Sequence, residues 1–457
     1  MRIRRAALLV AASLWFVAPC ACASSDPMVD LLASEGGAGL GFAVRAANSP
    51  YVGGGMRYDF EPLYLYENGR FYLHAYRLGL KLNEHEHERF DLFLEHRFEG
   101  YPSDHVPASL AGMADRGPGI DGGLSYERYF GWGTVYAEAL RDVSHTSGGS
   151  ELRLGYNYDW ARGRLRLRPY FSISFRSERL NDYYYGVLAS EATPTRPAYD
   201  PGAGFNGELG LYGYYRLTER WRLLAGASAT RWSSGVRASP IVDNRVQVSG
   251  MVGAAYDFSP DRETLPSGRP LIVKLLRGKS TDCNELPIMT LRCTSTQTAD
   301  GTGIAGVELG RPLLQKLNGW PLDFVGYVGL IRHDENGLQP DSWEFDASVK
   351  AYWYGFPWSD RVRTRIGFGS GLSYAQRVPY VEARDQARRG RPTSRLLNYA
   401  DPTIDVSLGD LLGVRSLREA YFGFGVSHRS GIFGSSQLLG NVNGGSNYIY
   451  SYVEWTL

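Results

Sequence analysis

The chain has 457 residues, and its 49 Lys and Arg side chains nearly balance its 48 Asp and Glu side chains, so the formal net charge is +1. A charge this close to zero lacks the basic footprint of nucleic-acid binding, so we exclude nucleic acid as a partner. Beyond the N-terminal region no stretch reaches the ~18 to 20 apolar residues of a spanning helix, which excludes an α-helical membrane protein. The 31 Tyr, 10 Trp and 55 Gly favour a membrane β-barrel over a soluble all-β protein, because barrels use aromatic girdles and tight strand corners.

The N-terminal residues predict a secretory signal peptide. Three arginines lie among the first five residues, an apolar run covers residues 6–18, and small residues occupy positions 21–23. We expect cleavage after Ala23, so that residues 1–23 form the signal peptide. A lipoprotein would need Cys20 or Cys22 as its lipidated residue, and the local sequence fits that alternative poorly.

Alternating polar and apolar residues predict antiparallel strands in the half of the chain that follows. In residues 151–158, Leu152 and Leu154 share one face, and Glu151 and Arg153 share the other. The lumen of a barrel tolerates such a charged face, whereas the core of a β-sandwich does not. We predict eleven strands, near residues 38–46, 57–65, 71–82, 89–99, 119–127, 133–143, 151–159, 164–176, 206–216, 220–231 and 246–258.

This first unit, residues 24–261, is therefore predicted to be a transmembrane β-barrel of 10–12 strands. Single-chain bacterial barrels have even strand numbers, so one strand is missing from the eleven. We place the missing strand near residues 183–188.

Several segments of this unit resemble a known family. Residues 37–258 are similar to the MipA/OmpV (MltA-interacting protein) family of outer-membrane proteins. The resemblance implies an outer-membrane barrel with a scaffolding role for murein-synthesis and lytic enzymes, and it implies no catalytic residues. It is carried by the segments GLGFAVRAANSPYVGGG, EPLYLYENGRFYLHAYRLGLKL, NDYYYGV, YDPG at residues 199–202, RWSSGVRASPIVDN and GAAYDF.

A polar, Pro-containing segment, DFSPDRETLPSGR at residues 257–269, predicts a boundary near residue 262. Residues 262–457 then form a second barrel of eight strands with long connections at one end, as outer-membrane barrels have. A single barrel of roughly twenty strands is the alternative. The eight strands are predicted near residues 269–277, 301–310, 321–331, 342–355, 361–376, 402–409, 419–430 and 447–457.

Cys283 and Cys293 lie ten residues apart in a polar stretch. In an exported protein this pair predicts a loop disulfide, because a structural metal would need four ligands and no His lies nearby. His85 and His87, in the stretch NEHEHE, would lie on one side of an extended segment, so a surface metal site is an alternative to the solvated turn that we expect there. We predict no metal and no cofactor.

The segment EAYFGFGVSHRS at residues 419–430 is the one place where the sequence indicates chemistry. His428 and Ser430 share a face with Phe422 and Phe424, and the apolar face of a barrel strand points to lipid. An imidazole two residues from a serine on one face can remove the hydroxyl proton and create a nucleophile toward an ester. Rim polar residues at headgroup depth are the other interpretation.

The order of these parts resembles PagL-type lipid A 3-O-deacylases, which are eight-stranded barrels with an exterior His/Ser site. That resemblance implies Ser430 as nucleophile and His428 as base. The family uses a Glu near the start of the last strand to orient the histidine, and this chain has Asn447 there instead. The amide oxygen of Asn447 could hold the imidazole, as Asn does in papain-like sites.

Three hypotheses for function follow, all with the protein in the outer membrane and in contact with outer-membrane lipids or lipopolysaccharide. The first is a noncatalytic barrel with a scaffold or interaction role in murein maintenance, and murein-processing enzymes are its partners. The second is a lipid A esterase that uses the catalytic residues His428, Ser430 and Asn447. The third is a small diffusion pore, which ranks last because small barrels fill their lumens with side chains.

Overall fold

The computed structural model describes residues 26–33, 36–101, 106–260, 270–296 and 298–457. The predicted signal peptide and the predicted boundary near residue 262 lie outside the described residues, so both stay predictions. Within those ranges, no helix is long and apolar enough to cross a membrane.

The chain forms two antiparallel β-barrels, one of 12 strands followed by one of 8. This confirms the predicted all-β class and the predicted pair of barrels, and the alternative of one barrel of about twenty strands is wrong. The helices are short and lie in the connections: α1 (Glu178–Tyr185), α2 (Ser234–Arg237), α3 (Glu285–Met289), α4 (Tyr380–Arg388) and α5 (Leu408–Leu412), with 3-10 turns at Val29–Leu31, Ala108–Leu110, Ala189–Glu191, Leu317–Gly319, Arg415–Leu417 and Ile432–Gly434.

The first barrel closes because its last strand returns to its first, with Ala43 opposite Gly253. One short strand, β9, extends the edge of β10 and is not part of the twelve-stranded wall. The strands are β1 (Ala38–Asn48), β2 (Met56–Glu67), β3 (Phe71–His74), β4 (Arg77–His85), β5 (Glu88–Arg97), β6 (Gly119–Phe130), β7 (Gly133–Asp142), β8 (Ser150–Asn157), β9 (Trp160–Arg162), β10 (Leu165–Arg176), β11 (Gly204–Arg216), β12 (Trp221–Arg231) and β13 (Val246–Asp257).

The second barrel closes where its first strand pairs with its last, with Leu276 opposite Tyr452. All eight strands overlap the predicted segments. The strands are β14 (Ile272–Ser280), β15 (Gly303–Leu314), β16 (Leu322–Asp334), β17 (Ser342–Trp353), β18 (Thr364–Ala375), β19 (Leu396–Ser407), β20 (Ala420–Ser430) and β21 (Gly445–Thr456).

Two details of the strand prediction were wrong. The missing strand does not lie near residues 183–188, because helix α1 extends to Tyr185 and the rest of that segment forms only an isolated bridge, between Val187 and Tyr199. Instead, the predicted strand at 71–82 is two strands, β3 and β4, which Ala75 separates with a left-handed φ of 56°. A turn at an alanine lacks the Gly, Pro or Asn that ordinarily marks one, so the alternation of residues 71–82 indicates one continuous strand.

The lengths of the connections orient both barrels. One end carries the long loops, such as residues 177–203 and 376–395, and the other end carries short turns such as 86–87 and 131–132. Outer-membrane barrels have long extracellular loops and short periplasmic turns. We therefore call the two ends the outer and the inner end.

The two barrels lie side by side and touch through their walls. The Tyr64 hydroxyl on β2 donates to Asn398 Oδ1 at 2.8 Å and lies 2.8 Å from Ser370 Oγ on β18. Closer to the inner end, the rings of Phe258 and Phe324 have centroids 5.0 Å apart. The contact thus combines apolar packing with a polar bridge through Tyr64.

Candidate functional site

The lumen of the second barrel is filled by paired charges. Lys274, which has no exposed surface, has its Nζ 2.7 Å from Glu308 Oε2 and 3.2 Å from Asp401 Oδ2. Lys350 adds a second ammonium 2.6 Å from the same Asp401 oxygen. An eight-stranded barrel is just wide enough for its side chains to fill it, and these ion pairs occupy the middle of this one.

A second layer of the same kind lies nearer the inner end. Glu454 accepts hydrogen bonds from Tyr327 at 2.8 Å, from Tyr352 at 3.2 Å and from Arg365 at 2.8 Å. Arg365 also forms a two-pronged pair with Asp405, with both distances at 2.8 Å. The lumen therefore holds a continuous network of side chains instead of a channel.

Helix α4 closes the outer end of this barrel. Val381 packs into the cluster that includes Tyr448 and Tyr450, and burial of Glu382 raises its pKa to about 7 despite the nearby guanidinium of Arg429. Ser446 Oγ on β21 donates to Glu382 Oε2 at 3.4 Å. A buried carboxyl with this pKa is partly protonated at neutral pH, which lowers the cost of burying it.

The first barrel encloses a polar cavity of about 300 Å³. Ion pairs line its walls: Arg97 Nη2, for example, lies 2.8 Å from Glu151 Oε2. Twelve strands enclose more space than eight, so side chains that bridge the lumen leave room beside them.

Both ends of the first barrel are closed as well. At the outer end the loops pack together through an aromatic cluster that includes Tyr51, Tyr184 and Trp232. At the inner end residues 26–33, which we call the Asp26 segment, enter the lumen. Asp26 lies 2.6 Å from His74 Nδ1, and its carbonyl accepts a hydrogen bond from Arg168 at 2.8 Å. Described residues thus obstruct the lumen of each barrel.

The predicted site on β20 lies on the outer wall of the second barrel. Phe422 and Phe424 are exposed there, in agreement with the predicted lipid-facing side. Val426, the next residue on this face, is buried because the loop of residues 281–302 covers it with Cys283 and Ile288. The predicted Cys283–Cys293 disulfide is present and holds this loop together.

His428 and Asn447 meet at this covered part of the wall. They lie opposite each other on β20 and β21, and His428 Nδ1 is 2.6 Å from Asn447 Oδ1. The Asn447 Nδ2 donates to the carbonyl of Cys283 at 3.0 Å, which fixes the direction of the amide. The amide oxygen therefore faces the ring, and the proton belongs on Nδ1 of His428.

The other ring nitrogen faces a residue that the sequence did not indicate. His428 Nε2 lies 3.4 Å from Glu285 Oε2, at the start of α3 in the disulfide-held loop. Ser430 is partly buried at the end of the same strand face, opposite Asn398 and Gly445 in the ladder. The contact with Asn447 can orient the imidazole of His428. The Nε2 of that ring can act as a base when Glu285 moves away from it.

The residues that could hold a metal are few in the described part of the chain. His85 and His87 are exposed on the turn between β4 and β5. Glu178, Asp182 and Asp200 place carboxylate oxygens close enough to share one cation. Burial and a hydrogen bond with Asp200 raise the pKa of Asp182 to about 7, so these two carboxyls share a proton near neutral pH.

Comparison with known proteins gives one family match. Residues 40–258 match the model of MltA-interacting protein MipA. Outer membrane protein Omp26La of Vibrio anguillarum is 36% identical over 152 residues, which are 33% of this chain and 58% of that protein. The chain thus spans little more than half the length of this relative.

Two relatives from Escherichia coli K12 extend the comparison. Putative outer membrane protein YiaT is 28% identical over 233 residues, 50% of this chain and 94% of that protein. A protein named MltA-interacting protein is 28% identical over 147 residues, 32% of this chain and 59% of that protein. Among solved structures, a bacterial polysaccharide outer membrane secretin is 10% identical to this chain, with a TM-score of 0.22. The match covers 93% of this chain and 99% of that one, and a structural similarity this low supports no conclusion about function.

Proposed function

We propose that the protein is a scaffold that holds a murein-processing enzyme at its inner end, because residues 40–258 match the model of MltA-interacting protein MipA and the protein is an outer-membrane β-barrel protein. The observation that carries the proposal is that both lumens are obstructed, the first by loops and the Asp26 segment and the second by its ion-pair network. A barrel without an open lumen acts through its surface.

The class of partner comes from a relative. One protein that this chain resembles carries the name MltA-interacting protein, although the similarity covers only 59% of it. Murein lies on the periplasmic side of the outer membrane, so the partner has to meet the short turns at the inner end. Glu86, between β4 and β5, and Glu219, between β11 and β12, are exposed in two of these turns.

Site-specific photo-crosslinking in cells tests this proposal. A photoreactive residue replaces Glu86 or Glu219 in the full chain, and the adducts are identified by mass spectrometry. We expect a murein-processing enzyme among the adducts from both positions. The matched control replaces His145, which is exposed in a loop at the outer end, and should yield no murein enzyme. Absence of murein enzymes from the adducts at both inner positions would contradict the scaffold role.

One specific observation favours a second function, hydrolysis of a lipid ester. The 2.6 Å contact between His428 Nδ1 and Asn447 Oδ1 orients the ring on the outer wall, and Ser430 lies two residues further along the same strand. In this mechanism Ser430 Oγ attacks the ester carbonyl while His428 Nε2 takes the hydroxyl proton. His428 then returns that proton to the leaving alkoxide, and water hydrolyses the acyl-serine. Backbone N–H groups in residues 431–434 are the candidate donors to the oxyanion.

Mass spectrometry of lipid A after incubation of purified protein with lipopolysaccharide tests this second function. Loss of one acyl chain with the unmodified protein, and none with Ser430→Ala, would support the esterase. Ser427→Ala is the matched control, because Ser427 lies on the same strand and is buried on the lumen side. Unchanged acyl content with folded, unmodified protein would exclude lipid A hydrolysis.

A further inference from the structure

The wall of the first barrel has a notch between β2 and β5. Strand β3 is only four residues long and pairs with β2 through residues 65–67 alone, and β4 starts at Arg77. The outer half of β2 therefore has no neighbouring strand on that side. An open strand edge in a membrane leaves backbone groups without partners, which is costly in lipid.

A loop of the second barrel fills this notch. We call residues 431–444, between β20 and β21, the plug loop. The Phe60 N–H on the open edge of β2 donates to the carbonyl of Ser435 at 2.7 Å. Two residues further along β2 is Pro62, which has no N–H to satisfy.

The plug loop also reaches into the lumen of the first barrel. The backbone of Gln437 hydrogen-bonds to the side chains of Asp59 and His96. Leu438 and Leu439 are buried in a cluster against which Tyr76 and Phe98 of the first barrel pack. A segment of one barrel thus forms part of the wall of the other.

The plug loop separates two cavities of opposite character. On the inside, Gln437 lines the polar cavity of about 300 Å³. On the outside, Ile432 lines a cleft of about 520 Å³ between the barrels, whose walls are mainly apolar side chains such as Phe42, Phe60 and Phe324. The cleft lies between lipid-facing strand positions, and the cavity lies behind the notch.

Buried polar atoms at this boundary are without partners. Among the described residues, His96 Nε2 and Gln437 Nε2 are both buried and make no hydrogen bond. Arg57, which lines the same cavity, donates a hydrogen bond to the carbonyl of Gly100 at 2.9 Å. Polar atoms left unsatisfied inside a protein call for a ligand or water, because an unpaired buried polar group is costly.

The plug loop also holds an unusual backbone conformation. Ile432 and Phe433 have φ values of 50° and 58°, in the left-handed region that a β-branched residue such as Ile rarely adopts. Phe433 is 89% exposed, so its own side chain does not pack to offset that conformation. Strain of this kind concentrates at clamps and switches.

We propose that the notch is a lateral portal for a glycerophospholipid and that the plug loop is its gate. The phosphate-bearing headgroup enters the polar cavity, where Arg57 and Gln437 supply donors, and one acyl chain lies in the cleft between the barrels. A cavity of about 300 Å³ is at the lower limit for small ligands, so it fits a phosphodiester headgroup better than a lipid glycan. A guanidinium suits phosphate in particular.

Native mass spectrometry of the full chain in detergent tests the portal, with phosphatidylethanolamine and diacylglycerol as alternative probes. We expect one phosphatidylethanolamine to stay bound at a collision energy that removes surface lipids, and diacylglycerol to be lost. Arg57→Ala should weaken retention about tenfold, the effect of one charge-assisted hydrogen bond. Arg164→Ala, which changes an exposed arginine at the inner end of the same barrel, is the matched control and should bind as the unmodified protein does.

Three outcomes would overturn the proposal. Equal retention of diacylglycerol and phosphatidylethanolamine would mean that only the apolar cleft binds lipid. Equal retention of phosphatidylethanolamine by Arg57→Ala and by the unmodified protein would show that the headgroup does not bind in the cavity. Loss of phosphatidylethanolamine from the unmodified protein would show that no such site exists. This result is independent of whether any variant folds.

Discussion

Both barrels have a charged interior, but the charged side chains are packed differently in the two. In the second barrel eight strands leave space only for side chains, and Lys274, Lys350 and Asp401 are fully buried against one another. In the first barrel twelve strands leave a polar cavity beside the ion pairs, and Arg153 keeps a side-chain exposure of 23%. Strand number thus decides whether buried charge makes a solid core or surrounds a cavity. The solid barrel has its chemical groups on its outer wall, whereas the wider barrel has room for a ligand inside.

The largest expected effect comes from removing one charge from the solid core. Lys274→Met leaves Glu308 and Asp401 without their shared ammonium, and breaking a buried pair in this way costs about 3 to 5 kcal/mol in the free energy of unfolding. Urea titration in detergent, followed by gel mobility, measures it. Arg153→Met in the first barrel should cost clearly less. Glu138 keeps its ion pair with Arg77, and water in the cavity can reach Glu95, the other partner of Arg153, whose side chain is 16% exposed. Equal losses in the two variants would show that the cavity does not change the cost of an unpaired charge.

A pH change should loosen the outer end of the second barrel. The pKa of Glu382 is raised from 4.5 to about 7 in the folded protein. The folded state therefore holds the proton more tightly than the unfolded state, so the stabilisation is complete below pH 4.5 and is lost as pH rises through 7. The change is at most about 3 kcal/mol.

Hydrogen exchange across α4, corrected for the intrinsic dependence on pH, measures this loosening. Protection of residues 380–388 should fall between pH 5 and pH 8, and Glu382→Gln, which stays neutral, should keep it constant. Protection that falls equally in Glu382→Gln would assign the effect to another group, such as His333 or Glu344, which also influence this carboxyl.

The outer loops of the barrels offer a further contrast. In the first barrel apolar packing around Tyr51 and Trp232 holds the loops, whereas the loop at residues 281–302 carries the Cys283–Cys293 disulfide. Replacing both cysteines with serine should destabilise that loop by about 2 to 3 kcal/mol in the chain-entropy account. Trypsin cleavage after the exposed Arg292 should accelerate, while the loops of the first barrel keep their cleavage rate. Unchanged cleavage would mean that packing on Val426 holds the loop without the disulfide.

The smallest effect concerns the bridge between the barrels. Tyr64→Phe removes the hydroxyl that contacts Ser370 and Asn398 and should cost about 1 kcal/mol. A double-mutant cycle with Asn398→Ala isolates the pair. A coupling energy near zero would show that the hydrogen bond between Tyr64 and Asn398 does not help to join the barrels.

Much of the fold was predictable because alternation is a local signal. The charged face of residues 151–158 and the eight strands of the second half followed from period-two patterning. The turn between β3 and β4 was not predictable, because Ala75 carries no turn signal and its backbone conformation is set by the neighbouring strands. Strand β19 begins at Leu396, whereas the sequence predicted its start at 402. The polar residues Asn398 and Asp401 are typical of a loop, although both are buried inside the protein.

The candidate site on the outer wall was only partly predictable, for the same reason. The contact between His428 and Asn447 follows from hairpin register, which sequence spacing constrains. Glu285 reaches His428 from a loop more than a hundred residues upstream, and the plug loop reaches the other barrel. Such contacts depend on how closed units pack side by side, which no local pattern encodes. The roles assigned to His428, Ser430 and Asn447 stay a prediction.

The central claim, that both barrels are closed and act through their surfaces, is tested most directly by single-channel recording of the full chain in planar bilayers. The obstructed lumens predict that the unmodified protein inserts without producing conductance steps. Sustained steps of uniform size in the unmodified protein would show an open lumen, and they would replace the scaffold with the diffusion pore as the function of this chain.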